Sequence, residues 1–415
     1  MNIAMFTDAY YPRVNGVAVS VKSYADELAK RNHNVIIVCC DYTKRKGLRK
    51  RIFKSYFYDK KSKNLPNVQV LRIPADHILF SKEDRAARIT QWHTIKKEVD
   101  HFEPDVVHIN SEFLMGWFGV TYARHRHIAM VFTFHTLWED YLYNYIHMLP
   151  AATSKAVGRE LVKFYLKRAN EIICPTERIA SVIKEYGIDR EADILPTGIP
   201  DEIVTIDKSK NVAFKKQLFK IFPVLRNKKI LLYVGRVVKE KNLDFLFDVF
   251  AQVRNKVEDT ALLFVGGGPE LEPLKEKAKK MPVSWNICFT GYRSRTELAY
   301  FYHLSKVFVF PSLTETQGLV TIEAMLSGLP VVAIGEMGTL DVMQGDNGGF
   351  MVKNDVTEFS SRVIELLTDS DLYNKKRAEA FEWGKQWSMN TLTPKLIELY
   401  QKGIEARKSK RKRSE

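Results

Sequence analysis

Two glutamates, Glu315 and Glu323, stand eight residues apart in KVFVFPSLTETQGLVTIEAM. An apolar strand runs into Pro311, a short loop carries Glu315, and a helix expected over about Val320 to Ser327 takes Glu323 into its first turns. Gly318, between them, has no Cβ and lets a ligand approach the backbone, while the free N–H groups of a helix start donate to phosphate oxygens. An anionic group held there would bring sugar hydroxyls within reach of both acids. By residue type alone, the same pair also reads as carboxylates complementing a helix dipole on a solvated surface.

Other groups with binding chemistry fall at the ends of other expected strands. Arg236 and Lys241 follow the strand in KILLYVGRVVKEKN, one a planar fork and the other a point charge, and together they offset a diphosphate. Asn15-Gly16 forms a turn directly ahead of a helix, which aims the Gly16 N–H at an approaching phosphate. His135 closes the strand VFTFH. Each has a plainer reading as well: surface cations, a turn former, a structural histidine. The glycines of TALLFVGGGPE follow a strand but do not meet the GxGxxG dinucleotide fingerprint, because Gly266, Gly267 and Gly268 run into Pro269 and Glu270.

In this order the residues resemble the family 4 glycosyltransferases, whose E-x7-E signature matches Glu315 and Glu323 and whose G-R-x4-K matches Gly235, Arg236 and Lys241. ETQGL and HTLWEDY look like the branch that glucosylates 1,2-diacylglycerol. The resemblance implies that Glu315 contacts the donor sugar and Glu323 accepts from the ribose hydroxyls, with Gln317, Gly318 and Leu319 in the same donor-binding turn. Arg236 and Lys241 would hold the departing nucleoside diphosphate, the main electrostatic task of glycosyl transfer. Gly16 would meet that diphosphate, although the family's usual Gly-Gly is Asn15-Gly16 here. His135 would hydrogen-bond the donor sugar, Glu139 and Asp140 would face the acceptor, and the backbone around Tyr292 and Arg293 would meet the base. Retention without an assigned covalent nucleophile implies front-face substitution. Neither a cofactor nor a metal is expected.

The elements that must position these groups alternate strand and helix. NIAMF, VSVKSYADELAKRN and NVIIVCC give β-α-β, and the cycle recurs through EIICPT before restarting at KILLYVGR. The expected class is α/β in the GT-B arrangement, two facing Rossmann-like doubly wound domains whose strand ends bound a cleft. Residues 1–200 form the first domain, for the acceptor and membrane. Residues 201–385 form the second, for the nucleotide sugar. A crossover helix spans 386–406, with Leu392, Leu396, Leu399 and Tyr400 on one face, and a basic disordered tail spans 407–415.

Charge sharpens the expected partners. The net charge of +15 is matched by two stretches: Lys44 to Lys63, with ten Lys or Arg against Asp59, and Arg407 to Arg413, with six and no acid. Such local patches fit an anionic membrane surface rather than nucleic acid, which favours basic residues spread across a face. Phe53, Tyr56, Phe57 and Tyr58 interleave the first patch, and Lys155, Arg159, Lys163 and Lys167 form a four-residue stripe on an expected helix. A solvated loop and helix face is the alternative. Four cysteines without CxxC or histidine spacing point to a reducing compartment, and no segment reads as a signal peptide or spanning helix. The expectation is a cytoplasmic enzyme, peripheral on the inner face of the membrane, that transfers glucose from UDP-glucose to diacylglycerol. Phosphatidylinositol, a soluble alcohol acceptor, and a nucleotide-sugar epimerase of the same architecture are the alternatives.

Overall fold

Runs such as NIAMFT, NVIIVCC and TALLFV lack polar alternation, as strands covered on both faces do. The computed structural model describes residues 1–13, 15–43, 57–58, 65–78, 81–135, 151–315, 317–336 and 338–412, with the backbone alone for 57–58, 81–83, 151–155 and 411–412. It places these runs as parallel strands in two separate sheets, and the chain divides into two units: Met1–Gly198 with Met389–Glu415, and Ile199–Ser388.

In the first unit, β1 (Asn2–Thr7), α1 (Gly16–Lys30) and β2 (Asn34–Cys40) open the sheet. The short β3 (Phe57–Tyr58) pairs antiparallel with β4 (Val68–Ile73), and β5 (Ala75–Ile78) and β6 (Ser81–Ala87) form a separate hairpin. Then come α2 (Trp92–Phe102), β7 (Val106–Ile109), α3 (Leu114–Arg126), β8 (Ala129–Thr133), α4 (Ala151–Leu166), β9 (Glu171–Cys174), α5 (Glu177–Glu185) and β10 (Asp193–Ile194). Their order across the sheet is β10-β9-β8-β7-β1-β2-β4-β3, so the winding reverses between β1 and β7.

The second unit starts with α6 (Lys208–Ile221) and β11 (Lys229–Val234), followed by α7 (Phe245–Lys256), β12 (Thr260–Val265), α8 (Leu271–Lys279), β13 (Ile287–Phe289) and α9 (Arg295–Leu304). After β14 (Val307–Phe310), α10 (Leu319–Leu326), β15 (Val331–Ile334), α11 (Gly338–Met343) and β16 (Gly349–Val352), the helices α12 (Val356–Thr368) and α13 (Ser370–Gly384) complete it. The all-parallel order β13-β12-β11-β14-β15-β16 is the 3-2-1-4-5-6 winding of a dinucleotide fold, reversing between β11 and β14.

The chain then returns to the first unit as α14 (Met389–Lys412), burying Leu392, Leu396, Leu399 and Tyr400 against Ile3, Val35 and Val131 of that sheet. Tyr400 reaches the buried His108, whose ring nitrogens meet its hydroxyl and Thr133 Oγ1, both at 2.7 Å. Three expectations change here. The residues from 407 onward continue the helix to Lys412 instead of forming a disordered tail, because Lys and Arg are good helix formers that also complement a helix C-terminus. Arg407 is moreover tied to the His127 carbonyl at 3.4 Å. The division expected at residue 201 falls between Gly198 and Ile199, and the crossover helix expected from 386 starts at Met389 after a turn at Lys385–Trp387. Among the described residues no helix is long and apolar enough to cross a membrane.

Candidate functional site

Where a doubly wound sheet reverses, the connections on either side go to opposite faces and leave a crevice beyond the strand ends. In the second unit the two loops at that point are those after β11 and β14, and they carry Arg236, Lys241 and Glu315, three of the four charged residues singled out by spacing, while Glu323 follows in α10. The loop after β11 turns through Gly235 and Arg236, the Tyr233 hydroxyl donating to the Arg236 carbonyl at 2.9 Å, and then coils as a short 3-10 turn, Lys239–Lys241. That turn points Lys241 inward, leaving it 7% exposed. Its ammonium donates to Glu315 Oε2 at 2.9 Å and to Ser312 Oγ at 3.1 Å, both from the loop after β14. Arg236 goes the other way, its side chain 72% exposed and paired with Glu240 at 2.9 Å. The two cations are thus near in sequence but differently employed.

Gln317 and Gly318 lead into Leu319, the first residue of α10. Gly318 caps the helix with φ +61°, a left-handed conformation, and leaves its first N–H groups without a side-chain cap. The Glu315 carbonyl accepts from Gly338 N at 2.8 Å, which ties this loop to the start of α11. Glu323 is 2% exposed: Arg295 Nη2 donates to its Oε1 at 2.9 Å and the Tyr302 hydroxyl to its Oε2 at 2.8 Å. The glycine run after β12 proves to be a packing device, since a Cβ on Gly266 would lie 1.8 Å from the Gly235 carbonyl oxygen. Tyr292, which follows β13 nearby, is 84% exposed.

The first unit has its own reversal between β1 and β7. Asn15 caps α1, its Oδ1 accepting from Ala18 N at 2.8 Å, which gives the departure from Gly-Gly a local reason. Gly16 opens that helix with nothing within 4 Å of where a Cβ would stand. Asp8 follows β1 and accepts from Ser111 Oγ at 2.6 Å and from Met115 N at 3.1 Å, so it fastens the loop after β7 and supplies the acceptor that Phe113 cannot offer to α3. Burial raises its carboxyl to about 6. His135, two residues past β8, approaches Asn110 Oδ1 at 3.4 Å, and burial lowers it to about 4, so it is a neutral imidazole at pH 7.

The acceptor-side expectations fare differently. Glu139 and Asp140 lie outside the described residues, as does the 44–63 patch apart from the backbone of β3, and the Lys155 side chain lies outside them too. Of the stripe, Arg159 lies over the Tyr186 ring at 5.3 Å and Lys163 pairs with Glu160 at 2.9 Å. Lys167 is exposed just past the end of α4. The stripe is therefore not a uniform solvent-facing row. Among the described residues no group of three His, Cys, Asp or Glu is arranged to hold a metal ion. The strand-end rule locates Arg236, Lys241, Glu315 and His135. Asp8, Ser312, Arg295 and Tyr302 escaped it, although Asp8 and Ser312 also follow strand ends and were legible by that signal.

Residues 14–203 match the family described as Glycosyltransferase Family 4, and residues 214–383 match that described as Glycosyl transferases group 1. Alpha-monoglucosyldiacylglycerol synthase of Streptococcus pneumoniae is 30% identical over 339 residues, 81% of this chain and 71% of that protein. The protein of the same name from Acholeplasma laidlawii is 28% identical over 379 residues, 90% of this chain and 89% of the other. Among solved structures, sucrose-phosphate synthase from Thermosynechococcus elongatus aligns with a TM-score of 0.69 at 18% identity, over 98% of this chain and 99% of that one. That likeness carries the fold: the α/β class with two Rossmann-like domains of the GT-B kind.

Proposed function

The chain belongs to the glycosyltransferases of family 4 and group 1, and from that premise we propose that it is a retaining hexosyltransferase moving glucose from UDP-glucose to 1,2-diacylglycerol. The observation that carries the reading is Lys241 meeting Glu315, 74 positions along the chain, at the reversal point of the second sheet. A buried ammonium beside an uncapped helix start is the electrostatic equipment that a leaving diphosphate calls for.

In the proposed reaction the C1–O bond to the diphosphate breaks with its electron pair going to the phosphate oxygen. The acceptor hydroxyl attacks C1 from the same face, and its proton passes to that departing oxygen. Lys241, Arg236 and the N–H groups ahead of α10 offset the charge that develops. Glu315 contacts the sugar, and Glu323 receives the ribose. His135 is suited to hydrogen-bond the sugar as a neutral imidazole, since a buried imidazolium beside a forming cationic centre would oppose the reaction. With cations in place of a divalent ion, the reaction is expected to proceed in excess chelator.

The relatives' names support the lipid acceptor, and the basic stretches of the sequence support approach to an anionic bilayer from its cytoplasmic side. The test is purified protein with labelled UDP-glucose and diacylglycerol in anionic liposomes, with lipid products read by mass spectrometry. Monoglucosyldiacylglycerol is the expected product. Glycosylation of soluble alcohols or phosphatidylinositol with diacylglycerol untouched would replace the acceptor, and an epimerised nucleotide sugar without transfer would replace the reaction.

A further inference from the structure

Glu323 lies too deep for its charge to be met by water, so protein groups have to meet it instead. Its two partners, Arg295 and Tyr302, both come from α9. The start of that helix is fixed by a capping box in which Ser294 N and Ser294 Oγ donate to Glu297 Oε2 at 2.9 and 2.6 Å, so Arg295, the first helical residue, leaves a rigid turn. A carboxylate oxygen accepts two hydrogen bonds, so each Glu323 oxygen keeps one acceptor position beyond the one filled. Arg295 has five N–H donors, and its side chain remains 34% exposed beside a carboxylate that is only 3% exposed. The outward group of this pair is therefore the guanidinium.

We propose that Arg295 and Glu323 together read a hydroxyl of the nucleotide's ribose, Glu323 accepting a hydrogen bond from it and Arg295 donating one to its oxygen, while Tyr302 acts as a positioning residue that holds the carboxylate. This rests on the nucleotide-sugar reading above and adds to it a residue that no spacing in the sequence marks. A hydroxyl is donor and acceptor at once, and an acidic group joined to a guanidinium offers its complement on both counts. An analogue without that hydroxyl leaves the remaining acceptor position of Glu323 and the remaining donors of Arg295 unused, and a site built to bond a hydroxyl rejects the analogue that lacks it for that reason. Glu323 alone would read only the proton.

Isothermal titration of the full chain with UDP and with 2′,3′-dideoxy-UDP tests this. The unsubstituted protein is expected to prefer UDP by about tenfold or more, since the discrimination rests on a hydrogen bond to a charged group. Arg295→Gln and Tyr302→Phe are each expected to bring the two affinities to within about threefold, and Arg295→Lys to fall between, as partial loss of a charge-assisted bond predicts. A role confined to stability would lower the melting temperature and leave the ratio alone. If Arg295→Gln fails to fold, Arg295→Lys, which keeps the charge and removes the planar fork, decides. UDP binding with an unaltered ratio in the variants, or with no preference in the unsubstituted protein, overturns the inference and leaves the nucleotide-sugar reading standing. Binding of neither UDP nor UDP-glucose overturns both.

Discussion

Lys241 and Glu315 neutralise each other in the free protein, so in the proposed reaction a diphosphate competes with a carboxylate for the ammonium. This gives the two residues opposite signatures. Glu315→Gln keeps the shape and releases the charge of Lys241, and is expected to bind UDP several-fold more tightly while turnover falls on the order of a hundredfold. Lys241→Met is expected to weaken UDP binding by about tenfold or more, because a charge-assisted bond is lost and Glu315 is left half-buried without this partner. Calorimetry with UDP beside initial rates separates the two, and equal losses of binding in both variants would contradict the competition. Arg236, exposed and paired with Glu240, is expected to matter less for UDP affinity than Lys241.

In the proposed reaction helix-start N–H groups meet phosphate, and two helix starts depend on one residue each. Gly318 adopts φ +61°, and a Cβ there would lie 3.2 Å from Val342 Cγ2, so Gly318→Ala is expected to cost about 1 kcal/mol or more and to raise KM for the nucleotide sugar as the start of α10 shifts. Asn15→Ala removes the cap of α1 and is expected to lower stability by about 1 kcal/mol, with Asn15→Ser largely restoring it. Chemical denaturation of the two variants measures both. A stable Gly318→Ala with unaltered KM would mean that the left-handed turn is incidental to binding. Asp8 does for α3 what Asn15 does for α1, but from another strand, so a cap seen locally in one case is built by tertiary structure in the other.

Across the whole first unit, buried titratable groups set an acid limit. Burial lowers His108 to about 3 and His135 to about 4, from 6.5. Between those values the unfolded chain binds more protons than the folded one, so stability rises with pH through the window and is lost on acidification from about 6.5. Asp8, raised from 3.8 to about 6, acts oppositely, because its folded form takes the proton first. Two histidines against one acid leave a net loss on the order of 2 kcal/mol between pH 7 and pH 5. Melting curves at the two pH values are expected to show it, and His108→Gln, keeping a donor and an acceptor for Tyr400 and Thr133, is expected to shrink it. Equal melting temperatures at pH 7 and pH 5 would exclude this account. The same unit depends on the chain's return: deleting α14 strips Leu392, Leu396, Leu399 and Tyr400 from its core and is expected to leave it aggregating.

Apolar runs long enough for buried strands, separated by amphipathic helices, determined the fold class and its use twice, because burial on both faces writes itself into consecutive residues. Strand ends likewise announced Arg236, Lys241, Glu315 and His135, since a doubly wound sheet collects its loops at one edge whatever they carry. The partners of those groups were left open. Spacing set Lys241 beside Arg236 as a pair of cations, yet a single 3-10 turn sent one inward to Glu315 and Ser312 and the other out to Glu240. It also assigned Glu323 to a ligand, with no sign that Arg295 and Tyr302 already hold both its oxygens. Hydrogen bonds and ion pairs act over about 3 Å and take no account of separation along the chain, so which charges meet was decided only when the helices packed on their sheets.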